Sequence, residues 1–229
     1  MKIAVLHPNL CKKSATELAK ELGGVAINPF ELETRDYTGY DLVFNYGCNR
    51  QITTKKIINK TSSVARCIDK LATFYRLVKM GVPVVSFTEF VTEVPTHWKI
   101  IVCRKSVDGA GGKGITYVEQ GQPLPALSLY TEYYDHKFEF RIVVFKGKVA
   151  GRYLKRENKK GEWVLDHMQP KGFEEMDGHC ELAAKLLDID FVGFDVLAKS
   201  QKDYRILEAN SGPILSPEII DIIKDSINV

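Results

Sequence analysis

With 229 residues, 45% of them hydrophobic and 27% charged, the chain has the make-up of an ordinary globular protein and enough length to bury one large core or a few smaller lobes. A formal net charge of +3 gives no ground for a nucleic-acid partner, and no apolar run is long enough to cross a bilayer. The five cysteines (Cys11, Cys48, Cys67, Cys103 and Cys180) are odd in number, far apart and without a Cys-x-x-Cys pair. That argues against a disulfide framework and structural zinc, and for a reducing, cytoplasmic setting.

Ile3 to Leu6 is expected as a buried strand ending at His7-Pro8-Asn9, too short for the core of a signal peptide. Ser14 to Leu22 has helical spacing, with Ser14 as its N-cap and Gly23-Gly24 as its stop. Val25 to Asn28 and Asp41 to Asn45 follow as strands. Strand, helix, strand, loop and strand describe a small α/β lobe with a parallel sheet, residues 1–61. Ligands of such sheets bind beyond the carboxyl ends of the strands, where His7, Asn9, Asn49 and Arg50 fall. An arginine there is suited to hold a substrate carboxylate in a fork; the plain alternative for each is an ordinary loop residue. Thr53 to Asn59 reads as a short basic helix or loop.

Ser62 to Met80 is expected as one amphipathic helix, with Val64, Ile68, Leu71, Phe74-Tyr75 and Val78 at helical spacing and Gly81-Val-Pro83 as its end. Asp69-Lys70 lies inside it, and the default reading of that lysine is a solvated face. Val84 to Phe87 and Ile100 to Arg104 read as strands. The second delivers Lys105 into a turn carrying Gly109, Gly111, Gly112 and Gly114, and another strand follows. Glycines let backbone N–H groups wrap a polyphosphate, and Lys105 would add a point charge. No helix follows, so this is neither a Walker A loop nor a Rossmann turn; the plain alternative is a flexible turn.

Leu127 to Glu132 is strand-like and leads to Tyr133-Tyr134. Phe138 to Phe145 and Lys148 to Arg156 form a hairpin, with Trp163 to Asp166 behind a second turn. Lys155, Arg156, Lys159 and Lys160 are most simply a solvated tip, although Lys155 and Arg156 precede the turn and one of them is placed to face phosphates. His167 to Gly172 reads as a polar loop and Gly178 to Leu187 as a helix. The last feature is a hairpin, Phe191 to Leu197 and Tyr204 to Pro213, joined by a polar turn. Asp195 sits in its first arm. Glu208 and Asn210 sit two apart in the second, on one face. Three converging oxygen groups suit Mg²⁺, which usually keeps waters and substrate phosphates as its other ligands.

The order Asp-Lys on a helix, Gly-Val-Pro, strand lysine and glycine loop, Glu-Tyr, Glu-x-Arg, helix, Gly-x-Asp and Glu-x-Asn-x-x-Pro resembles the ATP-grasp superfamily over about residues 65–217. Within it the chain looks most like the ribosomal-protein glutamate ligases (RimK-type), with D-alanine–D-alanine ligase more distant. The resemblance implies an α/β (α+β) fold in which two lobes, 62–130 with a glycine-rich flap and 131–229 with a metal site, grip ATP behind the short first lobe. It implies that Lys70 and Lys105 contact the ATP phosphates under a flap of Gly109, Gly111, Gly112 and Gly114. Glu132, Tyr133 and Tyr134 would form the hinge against adenine, and either Asp135 or Glu139 would bind ribose. Arg141 would face the γ-phosphate and the reacting carbonyl, with Lys155 or Arg156 beside it. Asp195, Glu208 and Asn210 would bind two Mg²⁺ ions, Mn²⁺ being an alternative.

The implied activity is a carboxylate–amine ligase working through an acyl phosphate. The acid and amine are unspecified: an amino acid, a peptide or a protein tail all qualify, and relatives are often oligomers. Arg50 and His167 are the candidates on the substrate side. A kinase acting on a small-molecule hydroxyl and a non-catalytic nucleotide-binding module are the competing readings.

Overall fold

A computed structural model of the chain describes residues 1–32, 35–108, 114–158, 163–168 and 171–227, the side chain of Trp163 excepted. Its first sheet is parallel and contains β1 (Ile3–Leu6), β2 (Val25–Ile27), β3 (Leu42–Asn45) and β4 (Ile57–Ile58), in the order β2-β1-β3-β4. Between β1 and β2 lies α1 (Lys12–Glu21), which buries Ala15, Leu18 and Ala19. The helix begins before Ser14, because a 3-10 turn over Asn9–Cys11 runs directly into it. β4 stands where a helix or loop was expected. Two β-branched isoleucines extend easily, and parallel pairing with β3 gives their backbone its partners.

The expected single helix over 62–80 is two: α2 (Thr61–Ile68) and α3 (Lys70–Val78). Asp69 breaks it by taking extended backbone (φ −80°, ψ 98°) and accepting a hydrogen bond from the Ala72 amide at 2.9 Å, as an N-cap does. The apolar period runs through the break, which is why it is invisible to pattern. A second, antiparallel sheet follows, made of β5 (Phe87–Thr88), β6 (Ile100–Arg104), β7 (Ile115–Glu119) and β8 (Leu129–Glu132) in the order β5-β8-β6-β7. Val84, expected in a strand, instead forms a parallel bridge to Ile206.

The third sheet is antiparallel, with β9 (Phe138–Phe145), β10 (Lys148–Glu157), β11 (Trp163–His167), β12 (Phe191–Ala198) and β13 (Tyr204–Asn210) in the order β11-β10-β9-β12-β13. One face carries Phe140, Ile142, Val144, Val192, Phe194 and Val196, packed on α3 and on α4 (Glu174–Leu186). α4 starts a turn earlier than expected, its first turn holding Glu174, Glu175 and Asp177, as suits a helix N-terminus. The opposite face is apolar at one end, where Val143, Phe145 and Phe191 meet the first sheet and a terminal helix, α5 (Pro217–Ile227). At its other end it carries Glu139, Arg141 and Asp195. The register of β12 against β13 steps from Val196–Ile206 to Asp195–Glu208, so Leu207 is one extra residue, a β-bulge.

Asn59 ties the first sheet to the third. It is buried with φ +65°; its amide donates to the carbonyls of Phe191 (2.8 Å) and Asn45 (3.3 Å), and its oxygen accepts from the amides of Asp190 and Phe191. Among the described residues no helix is long and apolar enough to cross a membrane.

Candidate functional site

The antiparallel register places Tyr153, Arg141, Asp195 and Glu208 opposite one another across β10, β9, β12 and β13. Gly193 pairs with Asn210 one step along the same face, and Lys155 pairs with Glu139 on the other side of the row. The Arg141 guanidinium forks onto Asp195: Nε donates to Oδ1 and Nη2 to Oδ2, the latter at 3.0 Å. Both groups are buried. Burial works against the charge of Arg141, but Asp195, with Glu208 and Glu139 behind it, outweighs burial and raises its pKa. Lys155 Nζ bonds Glu139 Oε1 and lies 3.5 Å from Asp195 Oδ2. From across the cleft Lys70 brings its ammonium to 3.2 Å from Glu208 Oε1, its side chain only 5% exposed. The expected solvated lysine is therefore a buried one. The break at Asp69 puts it at the start of α3, pointing into the row.

Asp195, Glu208 and Asn210 thus share one face, two carboxylates and an amide on adjoining strands. Among the described residues no three His, Cys, Asp or Glu side chains form a cage by themselves. This donor set still fits Mg²⁺, which takes hard oxygens and is commonly held by one or two carboxylates with phosphates and waters completing the octahedron. Gly193 is what makes room for the row. A Cβ there would lie 2.7 Å from Pro213 Cβ and 2.9 Å from Arg141 Cδ.

Next to the row, between the second and third sheets, is a cavity of about 310 Å³. Val85, Val102, Leu197 and Leu207 give it apolar walls, and Tyr117 and Tyr133, in edge contact at 6.1 Å, stand at one side. Glu132, Tyr134 and Glu139 line it too, with the Glu132 carboxylate accepting from Ser86 Oγ at 3.1 Å. Asp135 is exposed and outside this lining, so of the two acids considered for ribose only Glu139 faces the cavity. Lys105 is exposed and also outside the lining; its amide donates to the Gly114 carbonyl at 2.9 Å. Gly109, Gly111 and Gly112 fall outside the described residues.

The cation that does enter this cavity is Arg104, which the sequence reading passed over. Strand alternation puts it on the side of Val102, and both line the cavity. Its Nε is buried and has no hydrogen-bond partner among the described residues. Burial lowers its pKa, with Glu208 and Tyr117 opposing. A buried guanidinium N–H without a partner is unusual and costly.

A second cavity, about 280 Å³, lies between β13 and the first lobe. Pro8, Phe30, Cys67 and Ile68 supply apolar wall, Asn49 and Asp108 polar wall, and Lys70, Glu208 and Asn210 its floor. Arg50, the candidate for a substrate carboxylate, is not part of this lining. Its Nη1 donates to the backbone carbonyls of Pro29 and Leu32, bracing the loop that carries Phe30. Arg156 is exposed and pairs with Asp166 through two hydrogen bonds, so of the two hairpin cations only Lys155 reaches the row. His167, expected in a loop, ends β11; it is exposed, stacks edge-on to Tyr153 and borders a separate apolar cavity with Phe138, Phe140 and Phe173. His7 is buried, its ring beside the Pro8 carbonyl.

The chain has the ATP-grasp fold: solved structures of that fold superpose on nearly all of it. The ATP-grasp ligase PsnB, complexed with a phosphomimetic variant of its minimal precursor, Mg and ADP, matches with a TM-score of 0.73 at 13% identity, covering 98% of this chain and 96% of its own. An ATP-grasp RimK domain protein from Sphaerobacter thermophilus gives 0.69 at 12% identity with both chains fully covered. D-alanine–D-alanine ligase from Bacillus anthracis, complexed with ATP, gives 0.69 at 13%, covering 100% of this chain and 92% of its own. By sequence the chain matches no protein-family model and no curated protein.

Proposed function

We propose that the protein is an ATP- and Mg²⁺-dependent ligase that joins a carboxylate to an amine through an acyl phosphate, releasing ADP and phosphate. The observation that carries this reading is the cross-strand row of Arg141, Asp195 and Glu208, facing Lys70 and flanked by one cavity of base size and a second that opens on the first lobe. The lobes are taken as 1–61, 62–130 and 131–229, although β8 (Leu129–Glu132) runs two residues past the second boundary and pairs within the second sheet.

In this reading the base enters the cavity between Leu197, Leu207 and Tyr133, with the Glu132 segment at its edge and Glu139 toward the ribose. Arg104 and Lys70, with Lys155, hold the phosphates. Asp195, Glu208 and Asn210 hold Mg²⁺, which when bound neutralises β- and γ-oxygens. A substrate carboxylate oxygen, entering from the second cavity, attacks the γ-phosphorus and ADP leaves. The amine nitrogen then attacks the acyl carbon, phosphate leaves, and the nitrogen gives up a proton. Arg141 offsets negative charge first at phosphorus and then at the tetrahedral carbon. The chain's contribution is positioning and fixed charge, and no covalent nucleophile is required.

A peptide is the first substrate class to offer, since PsnB has been captured with a precursor peptide. The test is an ADP- and phosphate-release screen over peptides, amino acids and amines, with products identified by mass. Stoichiometric ADP, phosphate and a product lighter than its components by one water are expected. ADP without free phosphate, and a product heavier by a phosphoryl group, would instead mark a kinase. No ADP from a protein that still binds Mg-ATP would sink both. Glu208→Gln is expected to lower turnover by about 100-fold or more while leaving the melting temperature close to that of the parent.

A further inference from the structure

We propose that Lys155 is a built-in counter-ion: it holds the cation position on Asp195 in the free protein and yields it when metal and nucleotide enter together. The inference rests on the metal site proposed above. Asp195 is 4% exposed. The Arg141 fork takes one side of its carboxylate, one donor to each oxygen. Lys155 Nζ is a third donor to the same carboxylate, 3.5 Å from Oδ2. The same ammonium bonds Glu139, which lines the base cavity. Lys155 therefore touches both an acid that lines the base cavity and the buried carboxylate of the proposed cation site.

The side chain of Lys155 is 18% exposed, against 6% for that of Asp195, so it is the partner with room to move. A lysine ammonium is a point charge on a flexible stem, able to trade one anion for another. A triphosphate offers it more negative charge than the two carboxylates do. Its transfer to phosphate would uncover Oδ2 as the divalent cation arrives. The consequence is a coupling: the site resists a bare divalent ion and accepts one with a nucleotide, and by reciprocity the ion favours the nucleotide.

Removing the charge should therefore act in opposite directions on two ligands. Lys155→Met and Lys155→Gln keep a stem of similar length. Binding of Mn²⁺ alone would be followed by the loss of its free-ion paramagnetic resonance signal, and binding of ADP alone by calorimetry. Both variants are expected to bind bare Mn²⁺ at least tenfold more tightly than the parent protein and metal-free ADP several-fold more weakly, while Lys155→Arg stays near the parent. A lysine that only braces the sheet would weaken both. Unchanged or weaker bare-Mn²⁺ binding in both variants overturns the proposal. If Mn²⁺ still binds with ADP in that case, the counter-ion role alone has failed; if the parent binds Mn²⁺ neither with ADP nor without, the metal reading has failed with it. Should neither variant fold, the parent suffices: Mn²⁺ affinity that ADP does not enhance, beyond what ADP binds in buffer, also overturns it.

Discussion

Arg104 and Lys105 are adjacent and both basic, and only their place in the strand separates their roles. Lys105, at the foot of the glycine turn, drew the phosphate reading; Arg104, on the parity of Val102, is the one inside. Alternation along Ile100–Arg104 was available in the sequence, but which face looks at a ligand depends on the third sheet. Arg104→Met should weaken nucleotide binding by about 10- to 100-fold, on the scale of one to two charge-assisted hydrogen bonds. Because its Nε has no partner among the described residues, the same change should leave the unfolding midpoint unchanged or raise it. A midpoint that drops with affinity intact would assign Arg104 a structural role. For Lys70 the helical pattern alone suggested a solvated face, whereas the resemblance placed it at the phosphates: a lysine in an amphipathic period looks solvated until the helix is known to break beside it.

That break belongs to the element scale. Asp69→Ala removes the cap on the Ala72 amide and should cost about 1 kcal/mol, while Asp69→Asn, which caps as well, should cost little. Since Lys70 follows directly, the alanine variant should also raise the KM for ATP more than its stability loss explains, as read from urea unfolding beside steady-state kinetics. On β12, Gly193→Ala puts a methyl against Pro213 and the stem of Arg141. Overpacking of this kind costs about 1–3 kcal/mol, and turnover should fall further because Arg141 is displaced from the row. The hairpin, the shared face of Glu208 and Asn210 and the strands of the third sheet were legible because alternation and turn residues agree there. α5 was not anticipated, although Ile219, Ile220, Ile223 and Ile227 repeat at helical spacing; its burial arises from packing beside β10, in a cluster shared by the third sheet and the first lobe.

Across the whole molecule, the order of motifs carried the fold, whereas the second cavity did not show in any spacing. Its walls come from Pro8, Phe30, Cys67 and the end of β13, which only the assembled lobes bring together. The buried thiols give a global prediction. Burial pushes Cys48 and Cys67 up to about 12 from 9.0. A neutral acid with a raised folded-state pKa favours the folded state below its unfolded pKa, and that advantage is lost as pH rises through the shifted range. The unfolding midpoint should therefore hold up to about pH 9 and fall between pH 9 and 12, and serine at both positions should flatten that slope. An unfolding curve already falling between pH 7 and 9 would point to other groups.

The bulge at Leu207 has a consequence for how the nucleotide is measured. In a regular strand Leu207 and Glu208 would point to opposite sides of the sheet, yet here Leu207 lines the base cavity and Glu208 the cation end. On the proposed reading, a single peptide unit spans from the wall against the purine to a ligand of the ion. Breathing of the lobes would alter how closely ATP is covered, and leave that gauge as it is.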